Sequence, residues 1–153
     1  MKINNGPRGT LIIDDARIIF RNFSGAQTQY NRKGDRNFSL VIDSEEAARK
    51  LESEGWNIKI KPPRDEDDTP LMFLPVKVKF NDYGPRVYLK SGDNFNELSE
   101  ATVDTLDNID IVSADMDIRP FDWEVNGKTG RTAYLEGITV IQQIDRFRAR
   151  YED

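Results

Sequence analysis

The sequence predicts a mainly β fold, built as a small barrel or sandwich with two short helices. Most apolar residues alternate with polar ones or stand in short β-branched runs, which is the period of strands. Turn sequences such as Asn126-Gly127 and Gly84-Pro85 separate these runs. The length of 153 residues fits one domain, so we expect residues 1–153 to form a single unit.

Seven segments show the strand pattern, and the first and the last two are long enough that we expect bends or bulges in them. In chain order they are residues 10–23, 36–43, 56–61, 71–80, 86–90, 109–123 and 131–144. Asn126-Gly127 joins the last two segments as a hairpin turn. A polar, proline-led loop insertion occupies about residues 62–70, and a short carboxy-terminal extension occupies about residues 146–153.

Two stretches show helical signals. Ser44 is a favourable cap before the acidic first turn Glu45-Glu46, and the helix that they begin should stop near Gly55. The second predicted helix covers residues 96–106, where Leu98, Val103 and Leu106 would form its apolar side.

The composition excludes several classes of function. The chain has no cysteine, which excludes disulfides, thiolate zinc sites and cysteine nucleophiles. It has no histidine, which excludes imidazole-based triads and most transition-metal sites. We therefore predict a non-catalytic protein without a cofactor. The start of the sequence lacks the apolar stretch of a signal peptide, and no apolar run could span a bilayer, so we expect a cytoplasmic protein without a membrane partner.

The net charge of −5 at first argues against a nucleic-acid partner, but the charges are unevenly distributed. Residues 17–40 contain five basic side chains and one acidic one, and residues 76–90 contain four and one. Residues 93–117 contain eight acids and no base. Because the local field decides what a groove attracts, an acidic protein can still present a basic surface.

Strand alternation places the basic residues opposite the apolar ones. Lys77 and Lys79 face away from Val76, Val78 and Phe80, and the same pattern recurs in three other strands. It groups Lys59 with Lys61, Arg86 with Tyr88 and Lys90, and Arg17 with Arg21 and Phe23. A basic face that carries aromatic rings suits single-stranded nucleic acid, because cations neutralise phosphates and rings stack on unpaired bases.

We therefore predict a binding face for single-stranded DNA that is largely independent of base sequence. The loop of residues 24–36 adds Tyr30 to the stacking residues, as a flexible arm. Arg119, Phe121 and Trp123 form a second aromatic and basic cluster, but alternation alone does not say which way they face. The predicted phosphate contacts are Arg21, Arg32, Lys33, Arg36, Lys59, Lys61, Lys77, Lys79, Arg86 and Lys90. The predicted stacking residues are Phe23, Tyr30, Tyr83 and Tyr88.

Four segments of the sequence resemble a family of small phage and prophage single-stranded DNA-binding proteins. They read Ile-Phe-Arg-Asn-Phe-Ser-Gly at 19–25, Gly-Asp-Arg-Asn-Phe at 34–38, Gly-Trp-Asn-Ile-Lys at 55–59 and Val-Asn-Gly-Lys-Thr-Gly at 125–130. The resemblance covers about residues 12–144. It implies an elaborated oligonucleotide-binding (OB) fold and a role in phage DNA replication or recombination, in the host cytoplasm and with replication or recombination proteins as further partners.

Two other hypotheses stay open at this point. Asp110, Asp115 and Asp117 lie close together on a predicted strand, and clustered carboxylates bind Mg²⁺ in metal-dependent nucleases. Alternatively, the acidic segment 93–117 is the interface of a protein-interaction or virion module. Single-strand binders often recruit partners through a long acidic tail, whereas this chain ends in only two acids, Glu152 and Asp153. The segment 93–117 would then take over that role.

Overall fold

The computed structural model of the chain describes residues 1–144. Within these residues the chain forms ten strands, one α-helix and two short 3-10 helices. The strands are β1 Lys2–Asn5, β2 Leu11–Ala16, β3 Ile18–Asn22, β4 Arg36–Val41, β5 Lys59–Lys61, β6 Leu71–Val78, β7 Arg86–Ser91, β8 Asn94–Leu98, β9 Ile111–Val125 and β10 Lys128–Gln142. The α-helix α1 is Glu45–Ser53, and the 3-10 helices are Pro7–Gly9 and Val103–Asp107.

One sheet connects all ten strands, and its main path runs β1-β2-β9-β10-β6-β4-β3. The strands β6 and β7 both pair in parallel with β10, at successive positions along it. Only Arg17 separates β2 from β3, so one bent segment pairs with β9 through its first half and with β4 through its second half. The prediction of a mainly β fold is confirmed, but the hydrogen-bonded path stays open and does not close into a barrel.

The core lies on the inward face of this sheet. In β6, Leu74, Val76 and Val78 are buried, while Lys77 is exposed, as is Lys79 directly after the strand, and this is what the alternation predicts. The helix α1 closes one side of the core with Ala48 and Leu51. Other large, fully buried side chains are Leu11, Ile13, Phe23, Phe38, Leu40, Ile42, Val87, Val103, Leu106 and Ile118.

The predicted start of the first helix at Ser44 and the predicted hairpin turn at Asn126-Gly127 are confirmed. The hydroxyl of Ser44 accepts a hydrogen bond from the amide of Ala47 at 3.1 Å, which caps α1 at its start. Strands β9 and β10 form a hairpin of 15 residues each. Its turn is made by Asn126 and Gly127, which have φ values of 52° and 78° and so supply the positive φ that this turn type requires.

The second predicted helix is wrong. Residues 94–98 form the strand β8, which turns back on β7, and only residues 103–107 are helical. Gly92, at φ 61°, permits the turn between the two strands. The ring of Phe95 then stacks on Tyr88 with 5.0 Å between centroids. The strand β1 was not predicted either, because it is an edge strand in which Ile3 is the only apolar residue.

The alternation in residues 10–23 is broken at Phe20, and this overturns the predicted role of Phe23. Phe20 has a φ of 51°, and the pairing of β3 with β4 shifts register between Ile19 and Asn22. The shift reverses the facing of the residues beyond it. Phe23 is therefore 0% exposed and stacks on Phe38 at 5.3 Å, whereas Phe20 is 55% exposed. Phe23 is a core residue and has no surface to offer a base.

The loop insertion of residues 62–70 connects β5 to β6, and all its residues are exposed. The predicted extension at 146–153 lies outside the described residues. In the described part of the chain, no helix combines the length and the apolar character needed to cross a bilayer.

Replacing Phe23 by alanine should destabilise the fold by about 3–5 kcal/mol, because the change removes a buried ring and leaves a cavity. Urea denaturation measures this difference. Tyr30→Ala is the control, since Tyr30 is 90% exposed and its loss should change stability by no more than about 0.5 kcal/mol. Equal stability of Phe23→Ala and the unaltered protein would contradict the placement of Phe23 in the core.

Candidate nucleic-acid interface

A row of side chains crosses four strands on the outward face of the sheet. Asn37 of β4 pairs with Lys77 of β6, Lys77 pairs with Tyr134 of β10, and Tyr134 pairs with Arg119 of β9. Residues that pair directly in a sheet project to the same side. We call the outward side of β4, β6, β10 and β9 the outer face. Along this row it presents an amide side chain, a lysine, an aromatic ring and an arginine in succession.

A groove with a volume of about 580 Å³ lies on the outer face. Its floor includes Pro75, Lys77 and Tyr134, on the outer face. Its wall includes Arg36 and Glu100. Arg36 pairs with the buried Val78, so its side chain leaves β4 on the inward side and reaches the groove from there. Six basic and two acidic side chains line the groove or stand beside its lining residues. The bases are Arg32, Lys33, Arg36, Lys77, Lys79 and Arg119, and the acids are Asp35 and Glu100. The groove is thus basic in a protein whose net charge is negative.

The loop of residues 23–35 stands along the groove and is held by its own hydrogen bonds. The side-chain amide of Asn31 donates to the carbonyls of Ala26 and Asp35, both at 2.9 Å. The amide of Gly34 donates to the carbonyl of Gly25 at 2.7 Å. These bonds form a compact projection in place of the flexible arm that the sequence suggested, and the projection carries Tyr30 near its tip.

Arg36 is an enclosed basic residue of the groove. Its side chain is only 21% exposed, and its guanidinium lies 5.7 Å from the centroid of the Phe80 ring. Its Nη1 donates to Oε1 of Glu100 at 3.3 Å. By contrast, Arg32 is exposed and pairs with Asp35 at 3.2 Å. The fixed position of Arg36 prepares it to bind an anion without much loss of side-chain entropy.

The β9–β10 hairpin brings three aromatic rings to the outer face. The guanidinium of Arg119 lies 4.8 Å from the ring centroid of Tyr134, and Phe121 contacts the same ring edge-on at 6.1 Å. Trp123 lies over Gly130, where an added Cβ would approach Cζ2 of the indole to 2.3 Å. Phe121 and Trp123 therefore face the same way as Lys77, a question that the sequence left open.

Arg131 attaches the opposite side of this hairpin to the end of α1. Its Nε donates to Asp122 at 2.7 Å, its Nη1 donates to the carbonyl of Glu54 at 2.8 Å, and its guanidinium lies 5.1 Å from the ring centroid of Trp56. The hydrogen bond from Arg131 lowers the pKa of Asp122, and the same bond raises the pKa of Arg131. These contacts position the hairpin relative to the groove.

Lys59 and Lys61 extend the outer face beyond the groove. They pair with Phe73 and Leu71 of β6, on the same side as Lys77. Phe73 in turn contacts the exposed ring of Phe20 edge-on at 5.4 Å. The basic side chains of β5 and the rings of Phe20 and Phe73 thus continue the basic and aromatic surface beside β6.

Four predicted residues lie on a different surface. Tyr83, Arg86 and Tyr88 border a shallow depression together with Asp117 and Glu136, and Lys90 follows on the same strand, β7. Burial, followed by the charges of Glu136 and Asp14, raises the pKa of Asp117. The structure therefore divides the predicted set between the groove and this acidic depression.

Arg21 is used inside the protein. Its Nη1 donates to the carbonyls of Leu106 and Ile109, both at 2.7 Å, and its side chain is half-buried. It thereby connects β3 to the 3-10 helix Val103–Asp107. This structural role replaces the predicted phosphate contact.

The carboxylates of the nuclease hypothesis do not form a metal centre in the described residues. Oδ1 of Asp115 accepts the backbone amide of Asp15 at 2.8 Å. Within residues 1–144, no group of three or more acidic side chains has the geometry to hold a metal ion. Part of the acidic segment is likewise engaged internally, since the carboxylate of Asp107 accepts the amides of Phe23 and Ser24.

Phe20 and Tyr134 are surface aromatics that were not predicted from the sequence. Phe20 was hidden by the register shift, for which the sequence offers no clear signal. Tyr134 could have been found, because Ala133 and Leu135 beside it are apolar and Thr132 shares its parity.

Comparison with known proteins connects this chain to a family and a fold. A family model described as a putative phage ssDNA-binding domain matches residues 2–153. Among solved structures, the single-stranded DNA-binding protein from bacteriophage Enc34 in complex with ssDNA has a TM-score of 0.57 and 15% identity, covering 96% of this chain and 96% of that chain. The same phage protein, in a structure described without ssDNA, has a TM-score of 0.57 and 12% identity, covering 96% and 93%.

A carboxy-terminally truncated form of the Enc34 protein has a TM-score of 0.54 and 13% identity, covering 94% of this chain and 97% of that chain. At these identities the likeness is one of fold. No curated protein sequence matches the chain significantly.

Replacing Asp117 by asparagine should raise the melting temperature at pH 7. The folded-state pKa of Asp117 is raised, so its charged form is less favourable in the folded protein than in the unfolded chain. The gain should disappear as the pH falls below about 4, where the unfolded-state carboxyl is also protonated. Thermal denaturation across pH measures this.

Asp65→Asn is the matched control, because Asp65 lies in the exposed loop of residues 62–70. Its melting temperature should follow that of the unaltered protein at every pH. A gain for Asp117→Asn that is undiminished at pH 3 would mean that charge is not its cause.

Proposed function

We infer the function of this chain from its family: it belongs to the putative phage ssDNA-binding domain family. The chain is accordingly a binding domain and not an enzyme. We propose that it binds single-stranded DNA in the groove on the outer face, with little dependence on base sequence. The proposed residues include part of the set predicted from sequence and add Arg119, Phe121, Trp123 and Tyr134.

The row Asn37–Lys77–Tyr134–Arg119 is the observation that carries this proposal. Beyond the amide of Asn37, it places a ring between two cations across β6, β10 and β9, and this is the arrangement that a single strand needs for its phosphates and its unpaired bases. Lys77, Lys79, Arg32, Lys33 and Arg36 would neutralise phosphates, while Tyr30, Phe121, Trp123 and Tyr134 would stack on bases. Every base has a π-face, so stacking of this kind discriminates little between sequences.

The distribution of charged side chains supports the same location for the DNA. The depression beside Tyr88 contains the carboxylates of Asp115, Asp117 and Glu136, which would repel phosphates. The groove, by contrast, has more basic than acidic side chains. We therefore leave Tyr83, Arg86, Tyr88 and Lys90 out of the proposed site, and retain Lys59 and Lys61 as an extension of it.

The bent segment β2–β3 returns the strand path to its start, which supports an elaborated OB fold, a partly open five-stranded barrel. We propose that residues 1–153 form one such domain. We also propose that it acts in phage DNA replication or recombination in the host cytoplasm, a role supported by the phage origin that the family description carries.

Lys77→Gln should weaken binding of a dT16 oligonucleotide and reduce the slope of log affinity against log salt by about 0.7, the value for one phosphate contact on a single strand. Tyr134→Leu should lose about 1–3 kcal/mol of stacking. Fluorescence anisotropy at several salt concentrations measures both effects, and duplex DNA should bind more weakly throughout.

Lys90→Gln is the matched control, since it removes the same charge from an exposed position on β7. It should leave the affinity almost unchanged. If Lys90→Gln weakened binding as much as Lys77→Gln, the groove would not be the binding site.

A further inference from the structure

The basic groove contains an acidic side chain that comes from a distant part of the chain. Glu100 lies in the acidic segment 93–117, which contains no base, yet its carboxylate lies against Arg36 in the groove wall. The two residues are 64 positions apart in sequence. An acid in a groove for a polyanion opposes binding unless it moves or is displaced.

The contact between the two side chains leaves most donors of Arg36 unused. A guanidinium offers five N–H donors, and Glu100 engages one nitrogen through one oxygen at 3.3 Å. Nε of Arg36 is buried and has no hydrogen-bond partner. A ligand with more acceptor oxygens could bind the same guanidinium in the two-pronged geometry that arginine forms with phosphates.

Arg36 is fixed, whereas the carboxylate of Glu100 is free to leave. The guanidinium is enclosed and lies against Phe80. The backbone next to Glu100 is held by a turn, in which Ser99 donates to the hydroxyl of Thr102 at 2.9 Å. The side chain of Glu100 is nevertheless 62% exposed, and within residues 1–144 its one ion pair is that with Arg36. Rotation of its side chain toward solvent would release the contact without disturbing the turn.

We propose that Glu100 occupies the place of a DNA phosphate on Arg36, and that a backbone phosphate of the bound strand replaces it. This inference rests on the proposed function. Glu100 keeps a poorly hydrated, half-buried cation paired while no DNA is bound. When DNA binds, the phosphate takes over Arg36 and the carboxylate moves into solvent. The exchange makes the affinity of the groove for DNA lower than its basic side chains alone would give.

The first test is the affinity of Glu100→Gln for dT16. Removing the competing charge should tighten binding about three- to tenfold, as expected for the loss of one partly buried ion pair. Glu97→Gln is the matched control, because Glu97 is an exposed acid of the same segment that pairs with Tyr88 on the other surface. It should change affinity by less than about twofold.

The second test separates exchange on Arg36 from general repulsion by Glu100. In an Arg36→Met background, Glu100→Gln should no longer tighten binding, because the exchanged partner is absent. In a Lys77→Gln background the gain should persist. If Arg36→Met melts below the assay temperature, Arg36→Lys replaces it and should reduce the gain. A full gain in the Arg36 variant would overturn the proposal.

The outcomes distinguish this proposal from the one on which it rests. If the unaltered protein fails to bind dT16, the proposed function fails. If it binds, but Glu100→Gln behaves like Glu97→Gln, only the exchange is overturned.

Discussion

The register of β6 between β4 and β10 is the constraint on which the surface depends. Because side chains alternate along a strand, a slip of one residue would bury Lys77 and expose Val76. The buried residues Leu74, Val76 and Val78 prevent such a slip, since it would remove three apolar side chains from the core. The same pairings that protect the core therefore align Asn37, Lys77, Tyr134 and Arg119 in one row.

The sequence could predict those parts of the site that depend on local alternation. Lys77 and Lys79 follow from the apolar residues between which they stand, and α1 follows from its serine cap. Phe23 could not be placed, because the positive φ of Phe20 and the register shift after it reverse the facing of the chain. Tyr88 could not be excluded, because the carboxylates around it come from β9 and β10, which only the folded sheet brings near.

The charge of the protein also has a structural explanation. The net charge of −5 is the sum of a basic groove and carboxylates that lie elsewhere or are used internally. Asp107 accepts two backbone amides at the base of the loop of residues 23–35, and Asp115 accepts another in β2. Only part of the acidic segment is thus free for other partners, and Glu100 turns one of its charges toward the groove. The acids restrict where a polyanion can lie.

The proposed location of the DNA in the groove is tested by lysine acetylation with and without dT16, in which peptide mass spectrometry measures the reactivity of each lysine. The chain carries lysines on the groove, on β7 and on α1, so one experiment compares all three surfaces. We expect DNA to protect Lys77 and Lys79 from acetylation and to leave Lys90 and Lys50 as reactive as before. Protection of Lys90 with no protection of Lys77 would contradict the proposed location.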